Sequence, residues 1–122
     1  MSKSTGQRTK NILVFEDDPF YGKQMMDCAE GMDYSVTVCP TTKDFEQQAA
    51  SNNFDVAIID EHDNTVAECS KNLFEKPTLL ISFKQKLSSN VSNNPHICGF
   101  VCKKRGAKYV LKQAIQYADQ SS

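Results

Sequence analysis

Glu16, Asp17, Asp60, Ser82 and Lys103 are the residues whose types and positions suggest shared chemistry, because each stands at or just past the end of a short apolar run. Three carboxylates drawn together repel one another and raise each other's pKa unless a cation intervenes. A hard divalent ion resolves the crowding, and Mg²⁺ takes a few carboxylates together with waters and phosphate oxygens. Lys103 adds a second positive charge suited to an incoming phosphoryl group, and Ser82 adds a hydroxyl donor. The set describes an aspartate that attacks phosphorus while metal, ammonium and hydroxyl neutralise the oxygens. Any single acid at such a position is more often a helix cap or a solvated loop residue, and Asp18 is read as a cap.

The elements that would position these residues follow from the hydrophobic pattern. Residues 12–15 (ILVF) form a continuous apolar run that stops at Glu16-Asp17-Asp18-Pro19, as expected for a strand covered on both faces. Similar runs occupy 34–39 (YSVTVC), 55–60 (DVAIID), 77–82 (PTLLIS) and 97–102 (ICGFVC). Asp18 followed by Pro19 predicts a helix start. Tyr21, Met25, Cys28, Ala29 and Met32 then make one apolar stripe, ended by Gly31 or Asp33. Pro40-Thr41-Thr42 opens a second helix, with Thr41 and Asp44 in a capping relation. Residues 64–74 suggest a short third helix, and Phe83, Leu87 and Val91 a poor fourth. Ala107, Val110, Leu111, Ala114, Ile115 and Ala118 mark the last. Strands alternating with helices predict an α/β fold: a doubly wound, five-stranded parallel sheet with right-handed crossovers. Loops at the carboxyl ends of its strands would then form the site.

Composition narrows the function classes. The chain has 122 residues, the length of one domain, with 39% hydrophobic and 24% charged residues, which excludes collagen-like and wholly disordered readings. Fourteen basic against fifteen acidic residues give a net charge of −1, which speaks against nucleic-acid binding through bulk positive charge. No apolar run approaches the ~18 residues of a membrane span, so no membrane partner is expected. Five cysteines, an odd number without a CxxC pair, suit reduced thiols and a cytoplasmic location. Residues 1–10 read as a flexible tail and 11–120 as the folded domain. His96, Cys98 and Cys102 make a poor zinc site, because Cys98 and Cys102 share a strand face but stand four residues of ~3.3 Å apart. Lys103, Lys104, Arg105, Lys108 and Lys112 form a basic cluster, read as a solvated face in preference to a docking patch.

With these residues in place, the sequence resembles the receiver domain of bacterial two-component response regulators. Residues 12–19 (ILVFEDDP) are close to that family's first strand and acidic pair, and 54–60 (FDVAIID) are similar to its phosphoacceptor strand. The resemblance covers nearly the whole chain after residue 10. It implies a flavodoxin-like sheet in the order 2-1-3-4-5. It also implies that Glu16 and Asp17 are the metal-binding pair, that Asp60 is the phosphorylated aspartate, and that Mg²⁺ is the cofactor. By the same resemblance, His62 lends a backbone carbonyl to Mg²⁺, while Ser82, Lys103 and Phe100 sense the phosphoryl group and carry the switch. A histidine kinase or histidine phosphotransfer protein would be the donor. A downstream protein would read the face of the fourth helix, fifth strand and fifth helix. This is a signalling role and not an enzyme's.

The sequence departs from the family pattern in four places. The stretch from Asp60 to Ser82 is short, which predicts a shortened third helix. No proline occurs in Asp63-Asn64-Thr65. Phe83 follows Ser82 where a small residue is common, and could crowd the approach to Asp60. Lys104 follows Lys103 where the family has a proline after a cis bond; a cis bond without proline costs about 2.5–4 kcal/mol, so a trans bond and a rearranged loop are expected. These departures keep a second reading open: a degenerate receiver that acts as a phosphorylation-independent interaction module. A nucleotide-binding enzyme is disfavoured, since Glu16-Asp17-Asp18 replaces any glycine-rich loop after the first strand.

Overall fold

The computed structural model describes residues 10–51, 53–61, 69, 76–84 and 97–120. The expected short helix at 64–74 (apart from Cys69), the fourth helix beyond residue 84, and His62 lie outside the described residues.

The first strand, β1 (Lys10–Phe15), begins before its apolar part. Hydrogen bonds hold the polar start: Asn11 N–H donates to Asp55 Oδ2 at 2.7 Å, and the Asn11 side-chain amide donates to the Asn53 carbonyl at 3.3 Å. With β2 (Tyr34–Cys39), β3 (Val56–Asp60), β4 (Thr78–Ser82) and β5 (Ile97–Cys102), it forms a sheet in the order β2-β1-β3-β4-β5. Every neighbouring pair is parallel. This is the expected doubly wound, flavodoxin-like topology. Both central runs, β3 and β4, are buried at every residue, which is why their sequences show no polar alternation.

Helix α1 (Pro19–Ala29) starts as predicted: Asp18 accepts from Phe20 N–H at 3.0 Å, and Pro19 occupies the first turn, where a missing N–H costs nothing. It stops before the expected Gly31 or Asp33, with Glu30 as its last cap and Met32 beyond it. Helix α2 (Thr42–Ala50) is capped by Thr41, whose Oγ1 accepts from Asp44 N–H at 3.1 Å. Helix α3 (Ala107–Gln120) buries Ala107, Val110, Leu111, Ala114 and Ala118, and Ile115 packs against the same core partly buried.

The sheet divides two cores. On one face, Ile12, Val14, Val56, Ile58, Leu79, Ile81 and Val101 meet α1 and α3. On the other, Leu13, Phe15, Ala57, Ile59 and Leu80 meet Phe45 and Ala49 of α2. Each fully buried Ile or Leu contributes roughly 1.5–3 kcal/mol, so these strands hold both layers in place. Among the described residues, no helix is long and apolar enough to cross a membrane.

The pairing of β5 with β4 is irregular at its start. Thr78 pairs with Ile97 but Leu79 pairs with Gly99, so Cys98 is an extra residue in the ladder. Alternation fails across it: Ile97 and Phe100, three apart, both pack against the α2-side core. Cys98 is exposed and Cys102 partly buried.

After β5 the chain makes a single 3₁₀ turn, Lys103–Arg105, closed by Gly106 N–H donating to the Lys103 carbonyl at 3.0 Å. Gly106 has φ +99°, a conformation that favours glycine. The described backbone contains no cis peptide bond, so the Lys103–Lys104 bond is trans as expected.

Candidate functional site

The pleat explains which strand-end residues meet. Ile12 and Val14 face α1 and α3, and so does the next residue of that parity, Glu16. By the same alternation Asp60 follows Ile58 and Lys103 follows Val101. Registry brings their strands level, since Phe15 pairs with Ile59, Asp60 with Ile81, and Ile81 with Val101. All three side chains therefore emerge at the carboxyl edge of the sheet, on the α1 side.

There the oxygens of Glu16, Asp17 and Asp60 lie within 4.8 Å of one another, and no other such group of metal-ligating side chains occurs among the described residues. Glu16 and Asp60 are buried, whereas Asp17 is exposed. Lys103 Nζ lies 2.8 Å from Glu16 Oε1 and 3.4 Å from Asp60 Oδ1. Glu16 Oε2 accepts from Asp18 N–H at 3.0 Å, so the loop that caps α1 also fixes the glutamate. Glu16 Oε1 is buried without a hydrogen bond. Its 2.8 Å contact with Lys103 is thus an ion pair of poor hydrogen-bond geometry, and the oxygen keeps an unfilled lone-pair direction.

This donor set fits Mg²⁺. It is all carboxylate oxygen, it carries more negative charge than Lys103 offsets, and it holds one buried oxygen with capacity to spare. Glu16, Asp17 and Asp60 are the residues that could hold the ion.

Ser82 is buried at the end of β4, and its Oγ accepts from Lys84 N–H at 3.1 Å. Phe100 is partly buried and packs against the core on the α2 side. The structure thus brings Glu16, Asp17, Asp60 and Lys103 together, sets Ser82 at the end of the strand beside β3, and leaves Phe100 within β5.

Two aromatic residues join the site. Tyr21, expected only as part of the α1 stripe, donates its hydroxyl to the Lys103 carbonyl at 3.1 Å, and its ring centroid lies 4.5 Å from Lys103 Nζ. Burial first, then the charges of Glu16 and Asp60, push the Tyr21 phenol well above its ordinary pKa. Phe83 lies with its ring centroid 4.8 Å from the same ammonium. The only sequence signal for Tyr21 was a polar-tipped aromatic at the end of the stripe nearest the acids.

No protein-family model matches the sequence, and no curated protein matches it. Solved structures do. The signal receiver domain of an HD domain-containing protein from Pseudomonas fluorescens Pf-5 superposes with TM-score 0.76 at 16% identity, covering 93% of this chain and 99% of that one. The Francisella response regulator 1452 receiver domain gives 0.77 at 15% identity, covering 93% and 99%. The response regulator TrrA of Thermotoga maritima, solved in complex with Mg²⁺-BeF, gives 0.72 at 17% identity, covering 88% and 98%. The chain has the fold of response-regulator receiver domains.

Proposed function

We propose that this receiver-fold chain accepts a phosphoryl group on Asp60 and signals through protein contact. The observation that carries the reading is the meeting of Glu16, Asp17 and Asp60 within 4.8 Å at the sheet's carboxyl edge, with the Lys103 ammonium against two of them. In the proposed step an Asp60 carboxylate oxygen forms a bond to phosphorus as the donor's P–N bond breaks. The electron pair leaves on the imidazole of a phosphohistidine, borne by a histidine kinase or histidine phosphotransfer protein. Lys103 supplies positive charge to the transferred oxygens, and Ser82 supplies a hydroxyl once it releases Lys84 N–H. Glu16, Asp17 and Asp60 would hold Mg²⁺, with the His62 backbone carbonyl as a further ligand; bound there, the ion neutralises charge on the phosphoryl oxygens.

The new charge at Asp60 biases a two-state element. Ser82 moves toward it, Phe100 turns inward, and the face of β5 and α3, together with the segment expected as a fourth helix, changes shape for a downstream protein. We place this activity in the cytoplasm.

A second reading has its own support: Lys103 already pairs with Glu16 and Asp60, and Phe83 stands over Lys103, an arrangement that also suits a phosphorylation-independent interaction module. A Mg²⁺ titration followed by amide NMR separates the two. Saturable shifts centred on Glu16, Asp17, Asp60 and Lys103 support the phosphoacceptor; no shifts at millimolar-scale Mg²⁺ favour the module.

A further inference from the structure

The Lys103 ammonium is enclosed on two sides. In front are Glu16 and Asp60, at 2.8 and 3.4 Å. Against it, too, lie the rings of Tyr21 and Phe83, with centroids 4.5 and 4.8 Å from Nζ, and these rings meet edge-to-face at 6.2 Å and 85°. The lysine side chain is 3% exposed, so a strongly hydrated ion has exchanged water for two carboxylates and two π faces.

Both rings are held where they are. Tyr21 is tied to the residue it covers, because its hydroxyl donates to the Lys103 carbonyl at 3.1 Å. Phe83 sits inside a turn in which Ser82 Oγ accepts from Lys84 N–H at 3.1 Å, and its own carbonyl accepts from Cys102 Sγ at 3.7 Å. Phe83 is 52% exposed, so core burial does not account for its position, whereas its contact with the ammonium does.

We propose that Tyr21 and Phe83 are positioning residues for Lys103: their rings form an aromatic clamp that holds the ammonium toward the carboxylates and fixes the charge that meets a phosphoryl group. This rests on the reading of Asp60 as phosphoacceptor. The π character of residue 83 matters here beyond its bulk. A leucine fills similar space and offers the cation no quadrupole, while a tyrosine retains it. Lysine has freely rotating bonds, so without the clamp the ammonium spreads over more positions and presents less charge at any one.

The test uses the full chain and its Phe83→Leu and Phe83→Tyr variants, with two readouts. The first needs no ligand: two flanking rings shift the Lys103 side-chain protons upfield in a ¹³C–¹H NMR spectrum. That shift is expected in the wild type and in Phe83→Tyr, and is expected to shrink in Phe83→Leu. The second is the dissociation constant of fluoroberyllate in the presence of Mg²⁺, expected to rise about five-fold in Phe83→Leu and less than about two-fold in Phe83→Tyr. An unshifted Lys103 in the wild type overturns the clamp. A leucine variant that loses the upfield shift yet binds fluoroberyllate as the wild type does overturns the positioning role. If the wild type binds neither Mg²⁺ nor fluoroberyllate, the phosphoacceptor reading fails and takes the positioning role with it, while the Lys103 shift still decides whether the clamp exists.

Discussion

Glu16 Oε1 and Lys103 Nζ meet at 2.8 Å with side chains 0% and 3% exposed. Residues this deeply buried are apolar in most proteins, and an apolar pair of equal volume would hold the fold as well or better. The pair is therefore better explained by chemistry at the sheet edge than by stability. Its burial also sets the cost of breaking it.

Lys103→Met is expected to destabilise the fold by about 3–5 kcal/mol, because it leaves the Glu16 carboxylate buried beside Asp60 without its counter-charge. Adding Glu16→Gln should recover a large part of that loss. Urea unfolding of both single variants and the double variant measures the coupling; additive effects would contradict the buried ion pair.

Gly99→Ala is expected to cost about 1–3 kcal/mol. A β-carbon there would stand 2.5 Å from the Tyr117 hydroxyl oxygen and 3.1 Å from Tyr117 Cζ, so the tyrosine of α3 has to leave its place over β5. Combining the change with Tyr117→Ala removes the clash, and the double variant should lose less than the two single losses together. A Gly99→Ala protein with wild-type unfolding would show that Tyr117 does not rest on β5 in this way.

The strand ends were legible because apolar runs stop abruptly at charges: ILVF before Glu16 and DVAIID at Asp60. Runs of that kind have only one comfortable place, the middle of a covered parallel sheet, and the topology then brings their ends together. Asp18-Pro19 was legible for a local reason, since capping depends on neighbours in sequence. What escaped depends on distant partners. Asn11 joins β1 through Asp55 and Asn53, and Lys10 pairs with Tyr34 of β2, which no hydrophobic pattern signals. Cys98 interrupts β5 where the sequence alternation looks ordinary. Tyr21 read as a core residue because its position in the stripe is that of one; its hydroxyl finds Lys103 only once the sheet has assembled.

Cys39 provides a pH signature. Burial first, with the nearby Asp44 charge, pushes its thiol from 9.0 up to about 11. The unfolded thiol loses its proton at lower pH than the folded one. The stability it contributes is therefore complete below pH 9 and falls by about 2–3 kcal/mol as the pH rises through about 11. The unfolding free-energy difference between wild type and Cys39→Ala should shrink by that amount over the same range. A constant difference would place the folded thiol near its ordinary value.

Asp18→Ala removes the acceptor for Phe20 N–H and is expected to cost about 1 kcal/mol, with Asp18→Asn costing much less. Thermal unfolding of the two variants checks the order. Equal losses would mean that charge at this position, and not the cap hydrogen bond, holds the start of α1.

The central claim is tested most directly by intact-mass spectrometry after incubation with Mg²⁺ and a small phosphodonor. The wild type is expected to gain one phosphate, Asp60→Asn to gain none, and chelation of Mg²⁺ to suppress the gain in the wild type. A phosphate that persists in Asp60→Asn, or no gain by the folded wild type with any small donor, would contradict the account.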